Sequence, residues 1–412
     1  MSSQTVALRR VFYIPGYDPI HPRRYRELYR SEGAAQAEIS GYEIHLKPAP
    51  KGDHYGWQVD AQIDDQSVHA GSEVLVWSDI VRTSMNSSIP ATYSQLVKTA
   101  WTYITSGTLR RLMRLRKGPV IAALYPVGAL ILQLLLALLA GHLLGLTLIW
   151  VFSWLPLGPT FHTVLGHILY WPALIGVTTY LLRWFKSKDG KFFAYYLMHD
   201  YAYSAGYKGA NPPELEARMD EFRAVIAEAL ASDVDEVLVV GHSSGAHLAV
   251  SILADLLRQG RSGAATLSFL SLGQVVPMVS FLPEARRLRA DLRYLSTSDD
   301  ITWVDVTAPG DGCSFALCDP VAVSGVATDG KRWPLVFSAA FTQTLSPERW
   351  AELRWRFFRL HFQYLCAFDR PRDYDYFQIT AGPMTLGARY AERPPSRSRI
   401  DVPVSKYTSV AA

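Results

Sequence analysis

Short apolar runs alternate with amphipathic stretches over much of the chain. The composition of residues 23–38 suits a basic helix, and a further helix is predicted to open at Pro212-Pro213-Glu214. Buried strands are predicted at residues 11–14, 237–240, 266–276 and 301–307. Because helices and strands follow each other in turn, the pattern predicts an α/β fold with a mostly parallel sheet and helices on both faces.

Three further strand-like runs lie early in the chain, at residues 42–47, 55–63 and 73–81. Two short polar turns, Pro-Lys-Gly-Asp and Asp-Asp-Gln-Ser, separate them. Closely spaced strands joined by such turns pair antiparallel, so we expect an antiparallel excursion beside the main sheet. No residue in these runs suggests chemistry beyond a structural role.

The longest pattern in the chain is an uncharged apolar run. Residues 118–182, 65 positions, contain no Asp, Glu, Lys or Arg. A bilayer crossing takes about 20 apolar residues, so the run is long enough for two. We expect one helix from about residue 119 into the 140s or early 150s and a second over about 161–185, joined at the Pro-Leu-Gly-Pro sequence 156–159. Near Gly141 and His142 the first helix is expected to tilt, kink or give way to an interfacial piece.

Basic residues lie on both sides of this run. The cluster before it is Arg110, Arg111, Arg114, Arg116 and Lys117, and the cluster after it is Arg183, Lys186, Lys188 and Lys191. Lysine and arginine stay on the cytoplasmic side of a membrane, so both ends are expected there and the number of crossings is even. These patterns predict an integral membrane protein with a transmembrane hairpin inserted into a cytoplasmic domain.

An amphipathic helix is predicted just before the first basic cluster, at residues 91–104. Such a helix could pack on the core of the protein or lie on an anionic membrane surface. The uncharged run that follows favours the membrane. The resulting divisions are 1–118 and 186–390 for the two parts of the soluble domain, 119–185 for the hairpin and 391–412 for a poorly ordered tail rich in Pro, Ser and Arg.

Composition excludes several classes of function. The chain has 41 basic and 37 acidic residues, a formal net charge of +4, which is too small to indicate a nucleic-acid partner. Its three cysteines, Cys313, Cys318 and Cys366, have neither metal-ligand spacing nor the even number of a disulfide framework. We therefore expect no metal and no cofactor. The N-terminus lacks the apolar core of a secretory signal, so none is expected to be cleaved.

One short motif carries the chemistry. Gly241-His242-Ser243-Ser244-Gly245 follows the strand predicted at 237–240 and leads directly into a helix-like run. A strand, a G-x-S-x-G turn and a helix form the context of a nucleophile elbow, although so short a pattern also arises by chance. The sequence here resembles the α/β-hydrolase superfamily, in the GHSxG form common among lipases and esterases. The resemblance implies that Ser243 is the nucleophile of a serine hydrolase.

The resemblance also implies the chain order serine, acid, histidine. Only His247 and His361 follow Ser243, and no acid lies between Ser243 and His247. The order therefore points to His361 as the base. The alternative is that His361 is simply packed, because it lies in a run, 350–365, with helical apolar spacing. Members of the superfamily usually carry this histidine on a loop.

Three aspartates are candidates for the acid. Asp311 is the first choice, because it lies past the end of the strand predicted at 301–307, where a loop residue could reach an imidazole. Asp305, inside that strand, is the second choice, and Asp319 is the third. The alternative for Asp311 is a turn residue that binds its own backbone in Pro-Gly-Asp-Gly.

Two backbone N–H groups are expected to form the oxyanion hole. One is that of Ser244, at the start of a helix whose dipole favours negative charge. The other is that of Tyr17, because Pro15-Gly16 occupies the place where many α/β-hydrolases have a His-Gly pair; an ordinary proline-glycine turn is the alternative.

These expectations lead to a membrane-anchored serine hydrolase. It would cleave an acyl ester of a lipid or another apolar acyl substrate through a Ser243-His361-Asp311 triad and an acyl-enzyme. An acyltransferase or thioesterase would use the same residues. The alternative from another class is a hydrolase-fold membrane protein that binds or scaffolds a partner without catalysis.

Overall fold

The computed structural model describes residues 5–49, 54–156, 158–260 and 263–411. Its strands form one eight-stranded sheet in the order β2-β3-β4-β1-β5-β6-β7-β8. They are β1 Leu8–Ile14, β2 Glu43–Pro48, β3 Tyr55–Ile63, β4 Gln66–Val74, β5 Glu236–His242, β6 Thr266–Leu272, β7 Thr302–Thr307 and β8 Leu335–Ser338. β3 runs antiparallel to both of its neighbours, and every other neighbouring pair is parallel. The predicted α/β class with a mostly parallel sheet is confirmed.

Helices connect these strands. In chain order they are α1 Arg23–Ser40, α2 Ser78–Met85, α3 Ile89–Thr105, α4 Thr108–Leu112, α5 Lys117–Phe152, α6 Pro159–Ser187, α7 Asp189–Phe192, α8 Ala194–Gly206, α9 Pro213–Ala231, α10 Gly245–Arg258, α11 Val276–Ser280, α12 Arg286–Thr297, α13 Pro320–Val323, α14 Phe341–Thr344, α15 Pro347–Leu353, α16 Phe357–His361, α17 Tyr376–Ala381 and α18 Leu386–Arg389. A 3-10 helix covers Gln363–Leu365. The helices predicted at 23–38, at 91–104 and from Pro212 onward correspond to α1, α3 and α9.

The chain divides into two compact units, and the first contains the whole sheet. It comprises Met1–Thr83, Thr102–Val120 and Tyr207–Ala412. All seven residues of β5 are buried, which is why this strand reads as a continuous apolar run rather than an alternating one. β5 lies between β1 and β6, and the carboxyl ends of these parallel strands meet at one edge of the sheet.

A buried ion pair joins the two central strands of the first unit. Arg9 in β1 and Glu236 in β5 have fully buried side chains, with Nε and Oε2 2.7 Å apart. Arg9 also donates to the carbonyls of Gly382 and Met384, at 2.7 and 2.6 Å. Glu236 Oε1 accepts from Ser268 Oγ and from the Leu386 N–H, at 2.6 and 2.7 Å. Because both charges are hydrogen-bonded on several sides, the desolvation cost of each is offset.

The second unit consists of Ser84–Trp101 and Ile121–Gly206, so it contains most of the two long apolar helices and extends beyond the range predicted for the hairpin. α5 has 36 residues and α6 has 29, and both are long and apolar enough to cross a membrane. They approach closely at Gly141, where an added Cβ would lie 2.8 Å from the Leu174 carbonyl oxygen. α5 is helical without a break through Gly141 and His142, so of the expected tilt, kink or interfacial piece, an interfacial piece that interrupts the helix is ruled out. Leu157, in the predicted turn, lies outside the described residues.

Three predicted elements differ from the structure. The third early strand is β4, not 73–81, because the hairpin turn consists only of Asp64 and Asp65, both with positive φ, so the strand restarts at once. β4 pairs with β1 and therefore belongs to the main sheet. The strand predicted at 266–276 ends at Leu272, since Gly273 has φ 53° and α11 follows. The helical run 350–365 is divided into α15, α16 and the 3-10 helix.

The C-terminal tail also differs from its prediction. Residues 391–412 were expected to be poorly ordered, yet the described part is attached by backbone hydrogen bonds to the first unit. Ile400 donates to Leu317 O at 2.7 Å and accepts from the Asp319 N–H at 2.9 Å. The Ser409 carbonyl accepts from Arg289 at 2.8 Å. A Pro-, Ser- and Arg-rich composition did not reveal these backbone partners, since such bonds need no particular side chain.

The Arg9–Glu236 pair gives a test of what holds the sheet together. In Glu236→Gln the shape is kept but the charge of Arg9 is left unpaired in the core, so we expect the free energy of unfolding to fall by about 3–5 kcal/mol. Denaturant unfolding of the full chain in detergent measures the change. As a control, Arg30→Gln removes an exposed pair with Glu27 and should cost less than about 1 kcal/mol. Equal effects of the two variants would contradict the role given to the buried pair.

Candidate active site

Ser243 lies on a strained turn at the carboxyl end of the central strand. β5 ends at His242, α10 begins at Gly245, and Ser243 between them has φ 56°, a left-handed conformation that non-glycine residues seldom adopt. Gly245 permits this turn, because an added Cβ would lie 2.1 Å from the Ile14 carbonyl oxygen. The turn is the geometry expected of a nucleophile elbow, and the Ser243 side chain is partly exposed.

The turn after β1 packs directly against this serine. A Cβ on Gly16 would come within 2.9 Å of Ser243 Cβ and 3.3 Å of its Oγ. Trp77 fixes the turn by donating its indole N–H to the Pro15 carbonyl at 2.9 Å, and its ring meets the buried Tyr17 ring edge-on at 6.0 Å. The turn that contains Gly16 and Tyr17 is therefore anchored by Trp77, and its Gly16 backbone lies against Ser243.

The predicted base and acid meet in the fold. His361 ends α16 and Asp311 lies in the loop after β7, 50 residues earlier, yet His361 Nδ1 and Asp311 Oδ2 are 2.8 Å apart. Both residues are buried. Asp311 Oδ2 also accepts from the Tyr364 hydroxyl at 3.0 Å, and Oδ1 accepts from the Cys313 N–H at 2.9 Å. The turn alternative for Asp311 is thus half right, because one oxygen binds the turn and the other binds His361.

Electrostatics keep this carboxylate ionised. Burial alone would raise the pKa of Asp311, but the charge and hydrogen bond of His361, together with the Cys313 N–H, hold that pKa below its ordinary value. Burial and the neighbouring Asp311 charge raise the pKa of Tyr364 well above its ordinary value. Tyr364 therefore remains a hydrogen-bond donor, and Asp311 remains an acceptor that orients the imidazole through Nδ1.

His242 joins the elbow to His361. Its Nε2 donates to the His361 carbonyl at 3.0 Å, and the two rings are 4.8 Å apart between centroids. Burial, and then the charge of His361, lower the pKa of His242 to about 3, so it remains neutral. His242 is therefore unsuited to act as a base near neutral pH, and it contacts both the backbone and the ring of His361. From the sequence it was only the variable second residue of the motif.

The end of β6 also comes close to the His361 imidazole. Ser243 donates its backbone N–H to the Leu272 carbonyl at 2.9 Å, which brings the end of β6 beside the elbow. At the next residue, Gly273, an added Cβ would lie 3.1 Å from His361 Cε1 and 2.7 Å from the Tyr364 ring. The His361 ring is thus close to both the His242 ring and the Gly273 backbone, at the carboxyl edge of the sheet.

Arg24 lies between the two loops of the site. Its guanidinium is 4.3 Å from the centroid of the Phe362 ring, next to His361, and it pairs with Asp18, next to Tyr17, at 3.1 Å. Asp18 also accepts from the Tyr25 hydroxyl at 2.6 Å. This cation connects the turn after β1 to the segment that carries the histidine.

The two alternative acids lie elsewhere. Asp305, in β7, accepts from Ser271 Oγ at 2.5 Å, and burial raises its pKa to about 8. Asp319 caps α13 through the Val321 and Ala322 N–H groups and pairs with Lys331 at 2.6 Å. Both therefore have structural partners. His247 is buried in α10, and burial lowers its pKa to about 4, so it is neutral and unlike a general base near neutral pH.

Sequence reasoning missed Tyr364. Its hydroxyl donates to Asp311 and accepts from the Ala308 N–H at 2.9 Å, so it ties the acid to the end of β7. A signal was available, because Tyr364 follows His361 by three residues and a helical turn brings such residues to the same side. The apolar spacing of the run concealed it, since a tyrosine fits an apolar face equally well.

Three side chains here could also hold a metal ion. One ligand atom each of Asp311, Cys313 and His361 lie within 4.8 Å of one another. No metal was predicted from the sequence, and His361 Nδ1 is already hydrogen-bonded to Asp311. An ion at this place would have to compete with that hydrogen bond.

The raised pKa of Asp305 predicts a pH-dependent stability. Between about pH 4 and pH 8 this carboxyl is protonated in the folded chain and ionised in the unfolded chain, so its contribution to stability falls as pH rises. The asparagine of Asp305→Asn cannot ionise, so in this variant the free energy of unfolding does not fall with pH for this reason. Its advantage over wild type in the free energy of unfolding should grow by at most about 1.4 kcal/mol per pH unit. Denaturant unfolding at pH 5, 6.5 and 8 measures it, and an advantage that stays constant over this range would contradict the raised pKa of Asp305.

No family model, curated protein or solved structure matches this chain. The assignment of a function therefore rests on the arrangement of side chains around Ser243. Its elements are the strained turn, the adjacent Pro15–Tyr17 backbone and the buried His361–Asp311 pair.

Proposed function

We propose that the chain is a membrane-anchored serine hydrolase, similar to the α/β-hydrolases, that cleaves acyl esters of lipids or other apolar acyl substrates. The observation that carries the proposal is the 2.8 Å contact between His361 Nδ1 and Asp311 Oδ2 at the sheet edge where Ser243 occupies its left-handed turn. A serine hydroxyl is a weak nucleophile until a base takes its proton, and this pair supplies an oriented base.

In the first step Ser243 Oγ attacks the acyl carbonyl and its proton passes to His361 Nε2. That nitrogen has the lone pair, because Nδ1 carries the proton shared with Asp311. The tetrahedral intermediate collapses, the C–O bond to the alcohol breaks, and His361 returns the proton to the leaving oxygen. Water then attacks the acyl-enzyme in the same way, which releases the acid and restores Ser243.

Two backbone groups are suited to hold the developing oxyanion. The Ser244 N–H lies at the start of α10, a helix of 14 residues whose dipole favours negative charge at this end. The second donor in the proposal is the Tyr17 N–H, since the neighbouring Gly16 is packed against Ser243 Oγ. Donors of this kind typically contribute about a hundredfold or more to turnover.

The apolar substrate class follows from the proposed anchorage. α5 and α6 would form a transmembrane hairpin, with both of its ends on the cytoplasmic side. Ten basic residues and no acidic ones lie between Asp79 and Asp189, which favours retention of the flanks on that side. An active site tethered to a bilayer meets lipid esters at a high local concentration.

An acyltransferase or a thioesterase would use the same groups. In the first, an alcohol replaces water as the acceptor of the acyl group, and in the second a thiol replaces the alcohol as the leaving group. A scaffold without catalysis would leave no use for the ionised Asp311 and the oriented His361. The buried pair therefore favours an enzyme over a scaffold.

A fluorophosphonate probe tests the nucleophile. We expect the full chain in membranes to be labelled and Ser243→Ala not to be labelled, because the probe reacts only with an activated serine. Ser244→Ala is the matched control, since it keeps the backbone N–H and should still be labelled. His361→Gln and Asp311→Asn should slow labelling and ester turnover by about a hundredfold or more while the fold remains intact. An unlabelled wild-type protein in intact membranes would refute the enzyme.

The hairpin has a separate test. Alkaline carbonate strips peripheral proteins from membranes but not proteins with bilayer-spanning helices. We expect the full chain to stay in the membrane pellet. A double variant with one arginine in the middle of each helix, Leu136→Arg and Ile175→Arg, should insert poorly. Each arginine costs about 2.5–3.5 kcal/mol at the bilayer centre. Release of the wild-type chain into the supernatant would exclude the hairpin.

A further inference from the structure

A pair of exposed aromatic side chains lies just before the candidate histidine. Trp355 is 71% exposed and Phe357 is 51% exposed, between the end of α15 and the first residue of α16. Their rings contact each other edge-on, with centroids 6.5 Å apart. We call residues 354–357, Arg-Trp-Arg-Phe, the aromatic tip. A soluble protein gains nothing by holding two large apolar side chains together in water, so a contact surface is indicated.

The charges of the aromatic tip have a definite sign. Arg354 stands over the Trp355 ring, with its guanidinium 5.5 Å from the ring centroid. Arg356 is exposed and pairs with Glu352 at 2.9 Å, with both side chains more than half exposed. The segment from Glu352 to Phe357 therefore has two basic residues and one acidic residue, a net charge of +1. Tryptophan and arginine together are typical of segments that lie at the headgroup level of an anionic bilayer.

The aromatic tip adjoins the point where the chain leaves the first unit for the apolar helix. A Cβ on Gly312 would lie 3.3 Å from the Phe357 ring, and one on Gly118 would lie 3.1 Å from the Gly312 carbonyl oxygen. Gly118 is in the first turn of α5. Arg116, just before that helix, donates to the Ala316 carbonyl at 2.7 Å. Gly312, next to Asp311, is thus in contact with both the tip and the base of α5.

The short stretch that leads into α5 carries further groups suited to a membrane surface. Arg110, Met113, Arg114 and Lys117 are all exposed, and Met113 is 51% exposed. Leu112 and Leu115 are buried, so this stretch is fixed to the first unit rather than free to swing. The base of α5 therefore presents exposed cations and one apolar side chain close to the loop that Phe357 touches.

We propose that the aromatic tip inserts Trp355 and Phe357 into the headgroup region of an anionic bilayer and so holds the His361–Asp311 edge of the sheet against the lipid surface. The aromatic tip contacts the membrane and not a protein in this proposal, because the tip adjoins the segment that leads into α5 and its net charge suits anionic lipids. The inference rests on the proposed membrane anchorage, and it specifies which face of the first unit meets the substrate.

Depth-dependent quenching tests the insertion. The full chain would be reconstituted in nanodiscs of phosphatidylcholine and phosphatidylserine, and a bimane fluorophore would be attached to Trp355→Cys. A Cys313→Ser background leaves Cys318 and Cys366, which are both buried. We expect lipids with a nitroxide near the headgroup to quench bimane at position 355 several-fold more strongly than at Asp64→Cys. Asp64 is exposed in the β3–β4 turn, at the opposite, amino-terminal edge of the sheet.

The outcomes of this experiment separate the two proposals. Equal quenching at positions 355 and 64 would overturn the insertion. Wild-type quenching at position 355 that stays unchanged in discs without phosphatidylserine would also overturn it, because the proposal requires an anionic bilayer. The same measurement in Ser243→Ala needs no catalysis. Quenching in that variant without any fluorophosphonate labelling of wild type would support the insertion and refute the hydrolase.

A kinetic comparison supplies a second readout. In Trp355→Ala we expect the KM for an ester embedded in anionic vesicles to rise several-fold, while hydrolysis of a water-soluble short-chain ester stays unchanged. Ile39→Ala, which truncates another exposed apolar residue of the first unit, is the matched control and should change neither. Equal losses on both substrates would mean that Trp355 supports the fold, and that result would contradict the proposal.

Discussion

The site depends on the close approach of two backbone turns at the centre of the sheet. Gly245 has no side chain where α10 begins against the Ile14 carbonyl, and Gly16 has none where the turn after β1 meets Ser243. These contacts accompany the left-handed conformation of Ser243 and bring the backbone of Gly16 against its side chain. The strain is sustained because β5 is buried along its whole length and is tied to β1 by the Arg9–Glu236 pair.

Buried charges at the two edges of the sheet are stabilised by different partners. At the amino edge, the cation and the anion of the Arg9–Glu236 pair neutralise each other and are surrounded by backbone partners. At the carboxyl edge, Asp311 remains ionised because His361, Tyr364 and the Cys313 N–H all act on it. Asp305, only six residues earlier, has no such set of partners, and burial raises its pKa to about 8. Two buried aspartates of one strand-and-loop segment therefore differ in protonation at neutral pH.

The membrane proposal and the hydrolase proposal meet at Gly312. This residue follows Asp311, lies against the first turn of α5 and touches the ring of Phe357. A change in how the aromatic tip contacts lipid would act on the same short loop that holds the candidate acid. This proximity could not be predicted from the sequence, because Gly118, Gly312 and Phe357 are far apart along the chain. Their proximity is the observation that links the two proposals.

Local periodicity and glycine spacing were enough to predict the α/β pattern, the two long apolar helices and the turn that carries Ser243. The order implied by the hydrolase resemblance pointed to His361, and the position of Asp311 past the predicted strand made it the first of three candidate acids. That Asp311 and not Asp305 reaches the imidazole depends on the fold, since the two aspartates differ by where β7 ends. The roles of His242 and Tyr364, and the attachment of the tail, likewise depend on long-range hydrogen bonds. Such bonds leave no periodic signal, because each joins residues that are paired by the fold and not by their separation along the chain.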